Sequence, residues 1–194
     1  MNYLFIDTSN SLIIGVVKDY KLTYFINEDT KETSVKVMPY LDEALTKSNL
    51  DIKDINKIFV VNGPGSFTGI RVGVTIAKII SYCLNIPIIA INELELMASN
   101  NDTNSVALID ARRGFVYGAI YDKDLNIIKE PVHILLTELE KFYPDEYKII
   151  DTIEPDIIRI IKKHENDEII NPHELKPNYL KLTEAEEKLN DTRS

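Results

Sequence analysis

The chain has 194 residues, 44% of them hydrophobic, and a net charge of −9, which allows a sizeable core in one domain or two small ones. No basic run is dense enough to displace the counterions of a phosphate backbone, so the composition excludes direct, non-specific nucleic-acid binding. No basic segment followed by an apolar one opens the chain, and no uninterrupted apolar run approaches about 20 residues, so a cytosolic protein without membrane contact is expected, its one cysteine, Cys83, a buried and unreactive thiol.

In chain order, residues 4–6 are apolar, Asp7 and the four residues after it polar, and 12–17 apolar again, which predicts strand, turn, strand; residues 21–27 complete an antiparallel meander. Val37, Met38, Leu41, Ala44 and Leu45 fall within an arc of about 120° at 100° per residue, predicting a helix over 37–45 that Pro39 kinks or delays. A buried strand over 57–61, a glycine-rich stretch, a helix to about residue 84, a strand over 86–91 and a helix over 92–97 follow. This alternation predicts an α/β sheet. The polar run 99–104 reads as a linker or hinge dividing the chain into 1–100 and 101–194.

Residues 107–120 then repeat 4–17: an apolar strand, an Asp, a polar turn, and a glycine eight residues after the Asp, so that Asp7 matches Asp110 and Gly15 matches Gly118. The repeat points to an internal duplication. Its second copy carries only short helical candidates, near 137–142 and 154–163, and an acidic tail from about Thr183 that reads as a surface helix or a frayed end.

The stretch "VVNGPGSFTGIRVGVTIAKII" (60–80) holds four of the seven glycines. A Walker loop needs Gly-Lys-Ser/Thr at its end, but Gly69 is followed by Ile70 and Arg71; the dinucleotide fingerprint needs its last two glycines three residues apart, but Gly65 and Gly69 are four apart. What remains is a tight turn at Gly63, Pro64 and Gly65, with Ser66 or Thr68 capping the next helix. Amides at such a start either bind an anion or are satisfied by the caps alone. Along that helix Arg71, Thr75, Lys78 and Tyr82 share about 60°, while the apolar residues spread over about 220°, twice the stripe a surface helix needs. One part rests on the sheet and the rest needs a second cover, from the same chain or from a partner. Gly69, Gly73 and Ala77, at i, i+4 and i+8, form an edge that permits close approach.

His133, His164 and His173 are scattered, which gives no zinc or iron site, and no metal or cofactor is expected for the isolated chain. Arg71 reads as part of a solvated face. Asp7 and Asp110 at strand ends, with Arg112 and Arg113 after the second, suit either a magnesium phosphate or plain turn formation. A degenerate nucleotide-binding hydrolase or kinase using Asp7 and Asp110 is the alternative function.

"GPGSFTGIRVG" (63–73), preceded by "LFIDTS" (4–9) and followed by "ALIDARRGFVY" (107–117) and "KPNYLKL" (176–182), closely resembles the TsaB (YeaZ) family, the non-catalytic subunit of the bacterial tRNA threonylcarbamoyladenosine machinery. The resemblance implies an α/β, actin/Hsp70-like fold of two ribonuclease H-like lobes, here with the second lobe reduced. It implies a cytoplasmic partner protein that binds TsaD, joins TsaE within the complex, and forms a homodimer when alone. Such a protein supports transfer of a threonylcarbamoyl group from its adenylate to the adenosine beside the tRNA anticodon, touching tRNA only indirectly. The partner surface it implies lies on two helices: Val37, Met38, Leu41 and Leu45 on the first, Gly69, Ile70, Gly73, Val74 and Ala77 on the second. A nucleotide at the interface is left open, with Asp7, Asp110 and Arg112 as its candidates. The metal-binding histidine pair of TsaD is missing, and Thr33-Ser34 stands where the family often has His-Ser or His-Thr.

Overall fold

β-Branched and aromatic residues fill β1 (Asn2–Asp7), β2 (Leu12–Lys18) and β3 (Lys21–Glu28), and the connections between them are too short for anything but antiparallel hairpins. The computed structural model describes residues 1–180, so the expectation for the acidic tail lies outside the described residues. After this meander, α1 (Thr33–Lys47) leads to β4 (Lys57–Gly63), and α2 (Phe67–Leu84) leads to β5 (Ile88–Asn92). β4 pairs parallel with β1 and β5 parallel with β4, giving the order β3-β2-β1-β4-β5. By length and composition α2 would pass for a membrane span, but here it packs on β4 and β1.

A second sheet follows α3 (Glu93–Ala98) and repeats the plan: β6 (Ser105–Asp110), β7 (Phe115–Tyr121) and β8 (Ile127–Leu135) form a meander, and β9 (Lys148–Ile150) pairs parallel with β6. The registers coincide. Asp7 lies opposite Ile13 as Asp110 lies opposite Val116, and Gly15 faces Phe5 as Gly118 faces Leu108. The two glycines also share a purpose: a Cβ on Gly15 would sit 2.4 Å from Ile157 of α5 (Ile157–His164), and one on Gly118 would sit 2.4 Å from Leu139 of α4 (Leu136–Leu139). The second copy has no counterpart of β5 among the described residues, and only the short α4 and a 3-10 turn separate its meander from β9.

One apolar cluster joins the two sheets, where α3 and α5 bring Leu94, Met97, Ile157 and Ile160 against Tyr3, Phe5 and Phe59 from one sheet and Ala107, Ala119 and Tyr121 from the other. A second cluster fills the space between the first sheet and α1 and α2. From α5 the chain returns along the first lobe. The Ile170 N–H donates to the Ile88 carbonyl on the edge strand β5 (3.1 Å), Lys78 Nζ donates to the Leu175 carbonyl (3.0 Å), and the Asn178 N–H donates to the Asn62 carbonyl (2.7 Å). Residues 169–180 thus strap the edge of the sheet and the flank of α2.

Three local expectations are corrected. α1 begins at Thr33 and runs through Pro39, whose missing N–H leaves the carbonyl of exposed Val35 to water rather than to a buried void. The polar run 99–104 is anchored: Ser99 and Asn101 are buried, Ser99 Oγ accepts from the Asp156 N–H (2.8 Å), and Arg159 donates to the carbonyls of Ser99 and Asn101. Cys83 is exposed on the last turns of α2, beyond the part of the helix that the sheet covers.

The end of α5 is held by charge. His164 Nε2 meets Glu95 Oε1 (2.9 Å), its Nδ1 meets Asp167 Oδ2 (2.6 Å), and Lys163 reaches the same Glu95 oxygen. Burial opposes a charge on His164, but the two carboxylates outweigh it and raise its pKa above the ordinary imidazole value. The folded chain therefore holds this proton more tightly than the unfolded one, a stabilisation complete below about pH 6.5 and lost as pH rises through the folded value. His164→Gln should cost most stability on the acid side of that range and least on the alkaline side. Urea unfolding across pH measures the gap, and a gap independent of pH would reject the charged bridge.

Candidate functional site: the α1–α2 face and the turns beneath it

β4 ends at Gly63, whose φ of +118° suits glycine and whose Cβ would lie 2.3 Å from the Asn178 carbonyl oxygen. The Gly63–Pro64 peptide is cis, and the turn it opens carries the chain to Ser66, the N-cap of α2. Ser66 Oγ accepts the Gly69 N–H (3.3 Å), and the Ser66 N–H itself donates to the Ser9 carbonyl (2.8 Å). Of the two capping candidates, Ser66 is the one used. A polar pocket of about 320 Å³ opens beside this start, lined in part by Thr8, Asn10, Lys31 and Thr68.

The small-residue edge of α2 faces inward. Thr8, in the β1–β2 turn, donates its hydroxyl to the Gly69 carbonyl (2.7 Å) and accepts the Gly73 N–H (3.0 Å). A Cβ at Gly69 would stand 2.0 Å from the Thr8 carbonyl oxygen, and one at Gly73 would stand 2.4 Å from Thr8 Oγ1. The glycines therefore admit the β1–β2 turn against the helix backbone, and the partner role assigned to Gly69 and Gly73 is corrected to an intramolecular one. Ile70, Val74 and Ala77 continue the same buried stripe, and Val37, Leu41 and Leu45 of α1 lie in the same core. Of the nine residues expected on the partner surface, Met38 is the one that reaches solvent, at 51% exposure.

The outer apolar surface comprises other residues of the same helices. On α2, Val72, Ile76 and Ile80 are half-buried and Ile79 is exposed; on α1, Val35 and Met38 are exposed. Between the two helices runs an apolar groove of about 460 Å³ bounded by Ser34, Phe67, Arg71, Val72 and Ile76. Phe67, half-exposed at its end, is stacked on Tyr179 (4.9 Å between centroids) and lies under the Arg71 guanidinium (3.9 Å), whose Nε donates to the Tyr179 hydroxyl (2.9 Å). Arg71 is exposed, as expected of a solvated face, and at the same time clasps α2 to the returning strap. Val72 and Ile76 were visible in the wide apolar arc. Tyr179 was not, since 108 residues separate it from Arg71.

The two acidic candidates stand in opposite surroundings, Asp7 buried and Asp110 exposed. Asp7 is completely buried, its Oδ1 accepting from the Ser9 N–H (2.7 Å) and hydroxyl (2.6 Å), and burial pushes its carboxyl up to about 6. Its neighbour is Glu93, the equally buried first residue of α3, whose Oε1 accepts from Asn10 Nδ2 (3.0 Å). The arrangement corrects the reading of Asp7 as a ligand-facing group. Asp110 is exposed at the end of β6 and accepts the Arg112 N–H (2.8 Å) within its own turn, and Arg112 and Arg113 point from that turn into solvent with φ of 69° and 55°. Among the described residues no group of three or more His, Cys, Asp or Glu is placed to hold a metal ion.

The family model described as TsaD, tRNA N6-adenosine threonylcarbamoyltransferase, matches residues 27–168. The tRNA threonylcarbamoyladenosine biosynthesis protein TsaB of Bacillus subtilis is 38% identical over 137 residues, covering 68% of this chain and 60% of that protein. TsaB of Escherichia coli is 33% identical over 132 residues, covering 65% and 57%. The chain thus matches less than two thirds of the length of these curated relatives. A crystal structure of an uncharacterized Pseudomonas aeruginosa protein with similarity to peptidase YEAZ superposes with a TM-score of 0.79 at 16% identity, over 93% of this chain and 99% of that one. The shared architecture is the actin-like one of two ribonuclease H-like lobes. With that fold, the glycine turn seated on Thr8 and these matches, the chain belongs to the TsaB/YeaZ family.

Proposed function

We propose that the chain is a non-catalytic subunit that binds TsaD, joins TsaE in the same cytoplasmic complex, and supports threonylcarbamoyl transfer to the adenosine beside the tRNA anticodon. The observation that carries this reading is the α1–α2 face, where Val35, Met38 and Ile79 stand more than half exposed beside the groove over Val72 and Ile76. Large apolar side chains clustered on one face mark a surface that a partner covers. In the absence of TsaD a second copy is the natural cover, so the isolated chain forms a two-fold homodimer, and TsaD displaces that copy by mass action. Co-purification with TsaD from the native cell tests the pairing.

The alternative, a nucleotide-splitting enzyme built on Asp7 and Asp110, has less support, because one carboxylate is sealed in the interior and the other caps its own turn. The isolated protein is expected neither to hydrolyse ATP nor to modify tRNA, and its net charge of −9 should leave tRNA binding weak near physiological salt. Steady ATP turnover by a homogeneous preparation, abolished by Asp110→Asn, would restore the enzyme reading. Tight, salt-sensitive retention of tRNA by the lone chain would contradict the indirect role.

A further inference from the structure

Asp7 and Glu93 present an unbalanced set of acceptors. Both side chains are fully buried, and each has one oxygen satisfied, Asp7 Oδ1 by Ser9 and Glu93 Oε1 by Asn10. The other two oxygens, Asp7 Oδ2 and Glu93 Oε2, are buried without a donor. The adjacent residues Ser9 and Asn10 hold the two carboxyls as neighbours, and burial raises both above the ordinary carboxylate range, Glu93 further because Asp7 stands beside it. No cation relieves them among the described residues. Glu95, on the same helix, is turned to Lys163 and His164 of α5, and the residues closing over the pair, Thr8 to Ser11 and Gly63 to Ser66, carry no charge. Two ionised carboxylates so placed would leave two unpaired charges in the interior, whereas one proton between them supplies the missing donor and removes one of the charges.

We propose that Asp7 and Glu93 share one proton in the folded protein at neutral pH, with Glu93 as the acid donating through Oε2 to Asp7 Oδ2, and that this bond fastens the β1–β2 turn to the start of α3. The same turn carries Thr8 into the glycine edge of α2, so the pair lies beneath the helix that bears the exposed apolar face. The sign follows from the folded chain holding a proton that the unfolded chain releases near pH 4. Stability falls as pH rises from there, most steeply up to about 6, where Asp7 titrates, then by one proton's slope until Glu93 ionises, above which the doubly charged pair adds no further pH dependence.

Carbon-13 NMR of the side-chain carboxyls on the wild-type protein tests this directly. A Glu93 carboxyl still protonated at neutral pH, titrating on the alkaline side of ordinary glutamates, is the expected result, and a Glu93 that ionises with the exposed glutamates overturns the proposal. Glu93→Gln supplies an amide donor without a titrating proton, so it should keep the fold and abolish the alkaline fall in Tm; an unchanged alkaline fall would also overturn it. Magnesium and calcium chloride separate a proton from a cation. Neither salt should raise Tm in wild type more than in Glu93→Gln, and a selective rise would show that a metal ion, not a proton, bridges the pair. If Glu93→Gln fails to fold, the wild-type NMR titration still decides.

Discussion

Gly69→Ala is expected to destabilise the protein by about 3 kcal/mol and to lower its Tm by about 10 °C, although alanine is the better helix former by about 1 kcal/mol. The added methyl would meet the Thr8 carbonyl oxygen at 2.0 Å, a backbone atom that no rotamer change can remove. Either the β1–β2 turn or the first turn of α2 must shift, and the turn is tied by Ser9 to Ser66 and by Asn10 to Glu93. Gly73→Ala should cost less, about 1–2 kcal/mol, because its obstacle is the Thr8 hydroxyl, which belongs to a side chain. A double-mutant cycle separates the two. Thr8→Ala should recover part of the Gly73→Ala loss and little of the Gly69→Ala loss. Thermal unfolding of the five variants supplies the numbers, and a Gly69→Ala protein as stable as wild type would show that the edge of α2 is not closed by this turn.

Met38→Asp is expected to weaken both self-association and binding to TsaD by about 30-fold, equivalent to about 2 kcal/mol, a typical loss at a central interface anchor. Met38 lies one helical turn after Ser34, which bounds the groove over Val72 and Ile76, and it is half exposed. The substitution therefore puts a charge where a partner would press and removes little from the monomer's own core, so Tm should move by only about 1–2 °C. Ile127→Asp on β8, exposed to a similar degree on the other lobe, should leave both associations unchanged. Light scattering of the wild type and both variants, with and without TsaD, decides the matter. A loss of TsaD binding with self-association intact would mean that the two partners use different surfaces.

The repeat and the glycine stretch made much of this architecture legible. Asp7 with Gly15 and Asp110 with Gly118 marked the same register in both sheets, because a glycine beneath a crossing helix and an aspartate at a strand end are local requirements. The width of the apolar arc on α2 called for two covers; the first sheet supplies one, and Ile79 and Cys83 stand exposed outside it. Helical projection gives no indication of which edge meets which cover, since that depends on contacts far along the chain. Thr8 is 61 residues from Gly69, and its seat between Gly69 and Gly73 turned a supposed partner edge into an internal one. The same distance hid Glu93 as the companion of Asp7. An acidic residue opening a helix reads as favourable at the positive end of its dipole, and nothing local signals that a strand end 86 positions earlier in the numbering buries it. β8 and β9 escaped notice because the first has a proline at its middle and the second is only three residues long.

The strap of residues 169–180 gives the first lobe an order of completion opposite to its order of synthesis. Strands β1 to β5 emerge from the ribosome by residue 92, yet the outer edge of β5 waits for Ile170, the Gly63 turn waits for Asn178, and Tyr3 waits for Glu165, 162 residues later. Each of these contacts closes a long loop, the slow kind of step in folding. A nascent chain thus carries an open-edged first lobe while the second is being made, and the half that is synthesised first is the half that finishes last.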